Sequence, residues 1–191
     1  RGYHKIMERQ GVSPDLARTI VRTNTTVIAS LMVKRGEAEA MICGTYGNYR
    51  WHLRHVLDVI GKGMGVRDVS ALSVLIMPKG TFFLCDTQVT ADPGVEEVVE
   101  MTLLSAATVR RFGETPKVAL LSHSNFGTAN TISAIKMHDA VAFLKERAPS
   151  LEVEGEMHAD AALDEAVRRR IFPNSRLQGQ ANLLILPNLE A

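Results

Sequence analysis

The chain has 191 residues, of which 46% are hydrophobic and 23% are charged, a composition typical of folded globular proteins rather than disordered ones. Its 22 Lys and Arg side chains nearly balance its 21 Asp and Glu side chains, so no overall field favours nucleic acid or an anionic membrane. The longest apolar runs are far too short to cross a bilayer. We therefore expect a cytoplasmic protein with no nucleic-acid or membrane partner, folded as one domain or as two lobes.

The two cysteines and the two chain ends give further expectations. Cys43 and Cys85 each lie in an apolar, strand-like run, which predicts reduced thiols in the core rather than a disulfide. The chain starts at Arg1 without a Met and stops at Ala191, just past an apolar strand-like segment. Because an α/β domain rarely ends on an uncovered buried strand, we expect a fragment of a larger domain.

The first part of the chain is mostly helical by pattern, and glycines at 61, 63 and 65 mark a change in composition after it. We place a lobe boundary there, with a partial first lobe over 1–62 and a second lobe over 63–191. The predicted elements of the first lobe are a helix from Ser13-Pro14, a helix capped by Asn24 and running to Gly36, a strand over 38–43 and a helix over 49–60.

The second lobe shows strands that alternate with helices. We expect Asp92 and Asp160 to cap two of its helices and Gly113 to end one. Such alternation predicts an α/β fold of three layers, a doubly wound and mostly parallel sheet with helices on both faces. Its predicted elements are a hairpin of 71–77 and 81–85, helices over 93–112, 129–147 and 161–171, and strands over 117–121, 151–154 and 182–186.

Ligands of open α/β sheets bind beyond the carboxyl ends of the strands, where loops enter helices. The loop 122–128 leaves a predicted strand, is rich in hydroxyl and amide side chains, and precedes a helix. Free backbone N–H groups and the helix dipole at such a place favour a phosphate or a carboxylate. The loop lacks the Gly-Lys-Ser/Thr ending of a Walker A motif. A capped turn without any ligand is the alternative interpretation.

A second loop, 44–52, also follows a predicted strand. Its two glycines allow a close backbone approach, and Arg50, Arg54 and His55 supply nearby positive or proton-donating groups. His52 and His55 have helical i, i+3 spacing without a carboxylate partner, which is weak support for a metal site.

A third segment, 155–160, contains His158, a candidate acid–base group without an identifiable partner. Asp160 is explained equally well as a ligand contact or as a simple helix cap. The three arginines at 168–170 lie at a predicted helix C-terminus. We assign them to dipole complementation and solvent rather than to nucleic acid.

Four stretches resemble the phosphate acetyl- and butyryltransferase family, in the same order along the chain. Residues 118–127 resemble its strand and Ser-x-Ser loop, and 85–93 resemble the loop before its long helix. Residues 155–162 resemble its Gly-x-x-x-x-Asp-Ala-Ala segment, and 179–189 resemble its late strand. The likeness covers essentially the whole chain.

The likeness is closer to the non-catalytic version of this domain at the C-terminus of bacterial malic enzymes. Residues 18–26, 49–55 and 122–127 resemble that branch. Asn125-Phe126 stands where the transferases carry Thr after the second Ser, and 46–49 replaces their hydroxyl cluster.

The resemblance implies a two-lobed fold similar to isocitrate and isopropylmalate dehydrogenases, which forms a homodimer or higher homo-oligomer. It implies acetyl-CoA as an allosteric effector of a separate N-terminal malic enzyme domain of the same chain. That domain would decarboxylate malate to pyruvate oxidatively, with NADP or NAD and with Mg or Mn. The family's Ser-Arg pair and the Asp after it lie C-terminal to the stretch resembling 179–190, so we expect no catalysis by this segment.

The expected effector- or phosphate-binding residues lie in all three loops. Two other functions stay open: an active phosphate acetyltransferase, which interconverts acetyl-CoA plus phosphate with acetyl phosphate plus CoA, and a dimerisation scaffold without a ligand. The candidate site residues are Ser122, Ser124, Asn125, Gly127, Thr128, Thr45, Tyr46, Arg50, Arg54 and Asp160.

Overall fold

The computed structural model describes residues 1–191 and separates them into two units, Arg1–Arg67 and Asp68–Ala191. None of the helices is both long and apolar enough to cross a membrane. The division falls a few residues beyond the boundary placed between 62 and 63, and the assignment of whole lobes to these segments stays a prediction.

Unit 1, Arg1–Arg67, is helical. Its helices begin where the sequence places its best capping side chains: Ser13 Oγ accepts from Leu16 N–H at 3.2 Å, and Asn24 Oδ1 accepts from Val27 N–H at 3.1 Å, as Ser and Asn caps do. Its core consists of five buried residues, Tyr3, Met7, Ala17, Val27 and Val59. The helices are α1 (Gly2–Met7), α2 (Pro14–Thr23), α3 (Thr25–Lys34) and α4 (Tyr49–Val59), with a short 3-10 helix at Glu8–Gln10.

The strand predicted over 38–43 is wrong, because this segment has no regular structure and no strand to pair with in unit 1. Ile42 is fully exposed, at 100%. Cys43 is exposed as well, so the expectation of a core thiol is wrong there, whereas Cys85 is buried as predicted. A strand needs a hydrogen-bonding neighbour, and an apolar run alone does not supply one.

Unit 2, Asp68–Ala191, is built on a five-stranded sheet with the order β1-β2-β5-β3-β4. The first two strands form the predicted antiparallel hairpin, and the other neighbouring pairs are parallel. The strands are β1 (Leu72–Met77), β2 (Gly80–Cys85), β3 (Lys117–Leu121), β4 (Glu152–Met157) and β5 (Leu183–Ile185). The helices are α5 (Val95–Arg111), α6 (Ile132–Arg147), α7 (Ala159–Leu163) and α8 (Glu165–Ile171).

Helices cover both faces of this sheet. Successive side chains of a strand point to opposite faces. Val118 and Leu120 of β3 belong to the buried cluster that contains residues of α5 and α6, whereas Ala119 between them packs with residues of α7. The predicted three-layer α/β architecture with a mostly parallel sheet is therefore confirmed.

Two predicted helix starts are wrong. Helix α5 begins at Val95 after the N-cap residue Gly94, whose N–H donates to the Glu97 carboxylate at 2.5 Å. Asp92 instead pairs with Lys136 at 2.7 Å. Asp160 lies inside the first turn of α7 and does not cap the predicted helix over 161–171.

That helix is broken in two at Asp164, which has an extended backbone and accepts hydrogen bonds from the first N–H groups of α8. The assignment of Arg168 to solvent is also wrong, because its side chain is completely buried, at 0% exposure. Its guanidinium donates to the carbonyl oxygens of Ala161, Leu177 and Gly179. Because a helix end leaves its last carbonyls without intrahelical partners, Arg168 supplies the donor for Ala161 O, as Ala181 N–H does for Ala162 O.

Candidate functional site

The loop 122–128 leaves β3 at the carboxyl edge of the sheet, as predicted. Ser122 N–H donates to Met157 O at 2.9 Å, and Phe126 N–H donates to Glu156 O at 2.8 Å. These bonds hold the loop against the end of β4. Helix α6 begins several residues later, where Thr131 Oγ1 accepts from Ala134 N–H, so the loop does not lead directly into the helix.

The loop closes around the side chain of Glu156. This carboxylate is 1% exposed. Its Oε1 accepts from Ser124 Oγ at 2.9 Å and from Gly127 N–H at 2.6 Å, and its Oε2 lies 3.2 Å from His138 Nδ1. Gly127 has a φ of +88°, a conformation that glycine adopts without strain. The anion to which the loop donates is therefore a carboxylate of the protein itself and not a bound ligand.

Most other backbone N–H groups of the loop are also bonded within the chain. Ser124 N–H donates to Ser122 Oγ at 3.1 Å, Asn125 N–H to Thr128 Oγ1 at 2.9 Å, and Ala129 N–H to Ser124 Oγ at 3.1 Å. The expectation that these donors are free for an external anion is wrong, because side chains of the loop and of β4 occupy them. Whether the loop residues contact a ligand stays a prediction.

Sequence reasoning missed Glu156 and its neighbour His138. The available signal was the pair of acidic residues Glu154 and Glu156 within a run that forms a buried strand. A carboxylate buried in a strand is costly unless it is paired, so two of them indicate specific partners nearby.

A cleft of about 410 Å³ opens beside this loop, and we call it the β3–β5 cleft. It lies beyond the carboxyl ends of β3 and β5 and next to the first residues of α6 and α7, the place where open α/β sheets bind ligands. Ser122 is the predicted site residue in its lining. The lining residues are Leu121, Ser122, His123, Ser133, Ala159, Leu186, Pro187, Asn188, Glu190 and Ala191.

The third segment joins the first loop. His158 Nε2 donates to His123 O at 2.8 Å, and His158 N–H donates to Asn125 Oδ1 at 2.8 Å. The partner that the sequence did not identify for His158 is thus the loop 122–128. Asp160 is exposed and accepts from Ala161 N–H at 2.7 Å within α7.

The loop 44–52 belongs to unit 1 and is held by His52, which is 6% exposed. His52 Nε2 donates to Tyr46 O at 2.5 Å, and His52 Nδ1 lies 2.8 Å from Thr26 Oγ1. Trp51 packs edge-on against His52 and His55, with ring centroids 4.8 and 4.7 Å apart.

The predicted site residues of unit 1 lie on its surface. Tyr46 is half-exposed and its hydroxyl lies 3.0 Å from Thr25 Oγ1. Thr45, Arg50 and Arg54 are exposed. A separate cavity of about 340 Å³ is lined by Cys43, Gly44, Gly47, Tyr49, His52, Leu53 and Val56. The prediction that the loops of the two units line one binding site stays a prediction.

The ionisation of His55 is shifted by its surroundings. Burial lowers the pKa of His55, Asp58 opposes this shift, and Arg54 and His52 add to it. Asn24 Nδ2 lies 3.0 Å from His55 Nε2, and because Asn24 Oδ1 already accepts from Val27 N–H, the amide donates to a neutral imidazole. No group of three or more His, Cys, Asp and Glu side chains is placed to hold a metal ion.

Residues 1–191 match the family model described as phosphate acetyl/butaryl transferase. The chain is 54% identical over 189 residues to an NAD-dependent malic enzyme of Rhizobium meliloti, covering 99% of this chain and 24% of the relative. It is 50% identical to an NADP-dependent malic enzyme of Escherichia coli, covering 99% and 25%. A phosphate acetyltransferase of Paracoccus denitrificans is 32% identical, covering 98% and 61%.

Solved structures of similar proteins have the same fold. The EutD phosphotransacetylase of Staphylococcus aureus superposes with a TM-score of 0.84 at 26% identity, covering 100% of this chain and 59% of that one. A phosphotransacetylase of Streptococcus pyogenes superposes with a TM-score of 0.87 at 24% identity, covering 99% and 58%. The chain therefore spans about a quarter of the malic enzymes that it matches and somewhat over half of these structures.

Proposed function

The chain belongs to the phosphate acetyl/butaryl transferase family, and from this premise we propose that it is the regulatory domain of a malic enzyme and binds acetyl-CoA as an allosteric effector. Its similarity to malic enzymes at 54% and 50% identity, against 32% for a phosphate acetyltransferase, supports this branch. The catalytic domain, the nicotinamide cofactor and the Mg or Mn ion would belong to the rest of the parent protein.

The observation that carries the proposal is that the β3–β5 cleft lies beside the loop 122–128, whose backbone N–H groups are mostly hydrogen-bonded within the chain. An acyl-transfer site needs backbone or side-chain donors aimed at the oxyanion that develops in the transition state. The N–H groups of Ser124, Asn125 and Gly127 are bonded to acceptors of the chain itself. The cleft remains open while these donors face inward, which favours binding over catalysis.

The lining of the cleft suits the two kinds of group in acetyl-CoA. Leu121, Leu186 and Pro187 offer apolar surface for the acyl and pantetheine parts. Ser133 lies in the first turn of α6, a helix of 16 residues, where unpaired N–H groups and the helix dipole attract phosphate. Ser122 and His123, which directly follow the end of β3, add hydrogen-bonding groups to the lining.

Regulation further requires that acetyl-CoA bind two states of the whole enzyme with different affinity, typically by about 5- to 150-fold. We propose a cytoplasmic homodimer or higher homo-oligomer in which this domain and the N-terminal malic enzyme domain of the same chain are coupled. The relatives include both NAD- and NADP-dependent malic enzymes, and either cofactor is compatible with this proposal.

Calorimetric titration of acetyl-CoA into the full-length protein tests the proposal, together with malate oxidation measured with and without acetyl-CoA. Ser122→Ala should weaken binding about ten-fold through loss of one hydrogen bond, whereas Ser150→Ala, at an exposed turn of unit 2, should leave it unchanged. Absence of heat at millimolar acetyl-CoA, with kinetics indifferent to the ligand, would contradict the proposal.

An active phosphate acetyltransferase is the second candidate, favoured by the retained Ser-x-Ser loop and by 32% identity to the Paracoccus denitrificans enzyme. It would act mainly by positioning the CoA thiolate against the acetyl carbonyl. Formation of acetyl-CoA from acetyl phosphate and CoA by the full-length protein would establish it. If Ser122→Ala and Arg50→Ala leave the kinetics and the effector response of the full-length protein unchanged, a dimerisation scaffold without a ligand is the remaining function.

A further inference from the structure

We propose that Glu156 is a positioning residue for the β3–β5 cleft, because its buried carboxylate holds the loop 122–128 in the shape that presents Ser122 and His123 to the ligand. This inference rests on the proposed function, since it concerns the same cleft. Glu156 does not line the cleft, so it acts through the loop and not by contact with the ligand.

The carboxylate of Glu156 is buried. Glu156 is 1% exposed, and a buried carboxylate is tolerated only when it is paired and hydrogen-bonded. Ser124 Oγ and Gly127 N–H both donate to its Oε1, and His138 Nδ1 faces its Oε2. Two of these three partners belong to the loop. The loop therefore cannot leave this position without stranding a buried charge.

Hydrogen bonds connect Glu156 to Ser122 at the cleft through Ser124. Ser124 is completely buried, at 0% exposure. Its hydroxyl donates to Glu156, and its N–H donates to Ser122 Oγ at 3.1 Å. The Ser122 oxygen is thereby used as an acceptor, which leaves its O–H free to donate into the cleft. Ser124 Oγ also accepts from Ala129 N–H and so fixes the end of the loop.

His123 is the other loop residue in the lining of the cleft. Its carbonyl accepts from His158 Nε2 at 2.8 Å, and its Nε2 lies 3.0 Å from Thr131 Oγ1. These bonds hold His123 at its carbonyl and at its ring, and neither of them involves Glu156. Loss of Glu156 would release the inner side of the loop while the His158 contact remained.

Glu154 provides a matched control on the same strand. It is also 1% exposed, but its carboxylate accepts from Lys145 Nζ at 3.0 Å and from Arg176 N–H at 2.8 Å, and neither group belongs to the loop 122–128. Replacing Glu154 removes a buried carboxylate from β4 without touching the loop. A difference between the two positions therefore separates positioning from general stability.

The experiment uses the full-length protein and the variants Glu156→Ala, Glu156→Gln, Ser124→Ala and Glu154→Ala. We expect Glu156→Ala and Ser124→Ala to weaken acetyl-CoA binding about ten-fold, the effect of one misplaced hydrogen bond. Hydrogen exchange of residues 122–129 without ligand should be faster in both. Glu156→Gln should bind acetyl-CoA and exchange at residues 122–129 as the wild type does, because its amide oxygen still accepts from Ser124 and Gly127. Glu154→Ala should change neither.

The inference is overturned if Glu156→Ala, or Ser124→Ala where the former does not fold, binds acetyl-CoA and exchanges at 122–129 like Glu154→Ala. It is also overturned if Glu156→Gln behaves like Glu156→Ala, since the acceptor would then not be what matters. Failure of the wild-type protein to bind acetyl-CoA would remove the proposed function instead. The exchange comparison in unliganded protein would still decide whether Glu156 positions the loop.

Discussion

The two candidate loops of this chain are held in place by different means. Loop 44–52 of unit 1 is held by His52, an imidazole with one partner at each ring nitrogen. Loop 122–128 of unit 2 is held by Glu156, a charged side chain with three partners, two of which belong to the loop. The first lies on a helical unit with a core of five buried residues, and the second lies at the edge of a sheet that is covered on both faces.

Two polar loops that each follow an apolar run are therefore not expected to be equally rigid. A loop fixed by a buried charge on a sheet can shift only if that charge is exposed or left unpaired, which costs several kcal/mol. A loop fixed by an imidazole on a small helical core can shift at the cost of one or two hydrogen bonds. We therefore expect substitutions in unit 2 to have larger effects than matched substitutions in unit 1.

The largest effect is expected for Gly155→Ala in unit 2. Gly155 has a φ of +147°, and a Cβ there would lie 2.7 Å from Leu120 O. Backbone strain and overpacking together should destabilise the unit by about 4 kcal/mol. Gly127→Ala is the control, because φ is +88° but no atom lies within 4 Å of the added Cβ, and it should cost about 1 kcal/mol. Hydrogen exchange of peptides covering β3 and β4, measured in urea, gives both values, and equal costs would contradict this prediction.

The next effect is expected for Arg168→Ala. Its removal leaves the carbonyls of Ala161, Leu177 and Gly179 without the guanidinium donor, and the loss should be about 3 kcal/mol. Arg170→Ala, at an exposed position of the same helix, should change stability by less than about 0.5 kcal/mol. The urea concentrations at which peptides of unit 2 lose their protection from hydrogen exchange give the stability of each of the two variants. A small effect of Arg168→Ala would show that the polar contacts of unit 2 are as dispensable as those on its surface.

A smaller effect is expected for His52→Ala in unit 1. The variant loses the contacts to Tyr46 O and Thr26 Oγ1, worth about 2 kcal/mol together. Exchange of residues 44–50 should become faster while that of 122–128 stays unchanged. His4→Ala, which removes a half-buried histidine from α1, serves as the control and should leave both segments unchanged. Faster exchange in both loops would contradict the independence of the two anchoring groups.

The smallest effect is a pH dependence of unit 1. Burial lowers the pKa of His55 in the folded state below its usual value of about 6.5. The unfolded chain then binds more protons between the two pKa values, so unit 1 loses stability as the pH falls below about 6.5 toward the folded-state pKa. Stability from urea unfolding at about pH 7.5 and about pH 5.5 checks this. His55→Gln, which keeps an acceptor for Asn24, should reduce the difference, and an unchanged difference would assign it to other groups.

Local features of this fold could be predicted from the sequence, and long-range ones could not. The caps at Ser13 and Asn24 join atoms three residues apart, so the sequence contains both partners. The alternation of strands and helices in unit 2 was equally visible. The strand over 38–43 failed because pairing depends on a neighbour elsewhere in the chain, and Arg168 was misassigned because its acceptors come together only through the break before α8.

The candidate site shows the same division. The sequence correctly placed the loop 122–128 at the carboxyl end of a strand, since strand and loop are contiguous. It could not show that Glu156, 29 residues away from Gly127, would occupy the inward-facing donors. The direction in which a backbone N–H points is set by tertiary contacts. A loop rich in Ser, Asn and Gly therefore indicates a polar turn, but it does not show whether its N–H groups bond to a ligand or to the protein itself.

The two cysteines differ in exposure, and the exposed one allows selective thiol labelling beside loop 44–52. Cys43 is exposed immediately before Gly44, whereas Cys85 is buried and burial raises the pKa of its thiol. Thiol-reactive fluorophores or spin labels depend on exposure and on the thiolate form, so within this segment they attach at Cys43 and spare Cys85. The domain thus carries a natural attachment point for a reporter beside one of its two candidate loops.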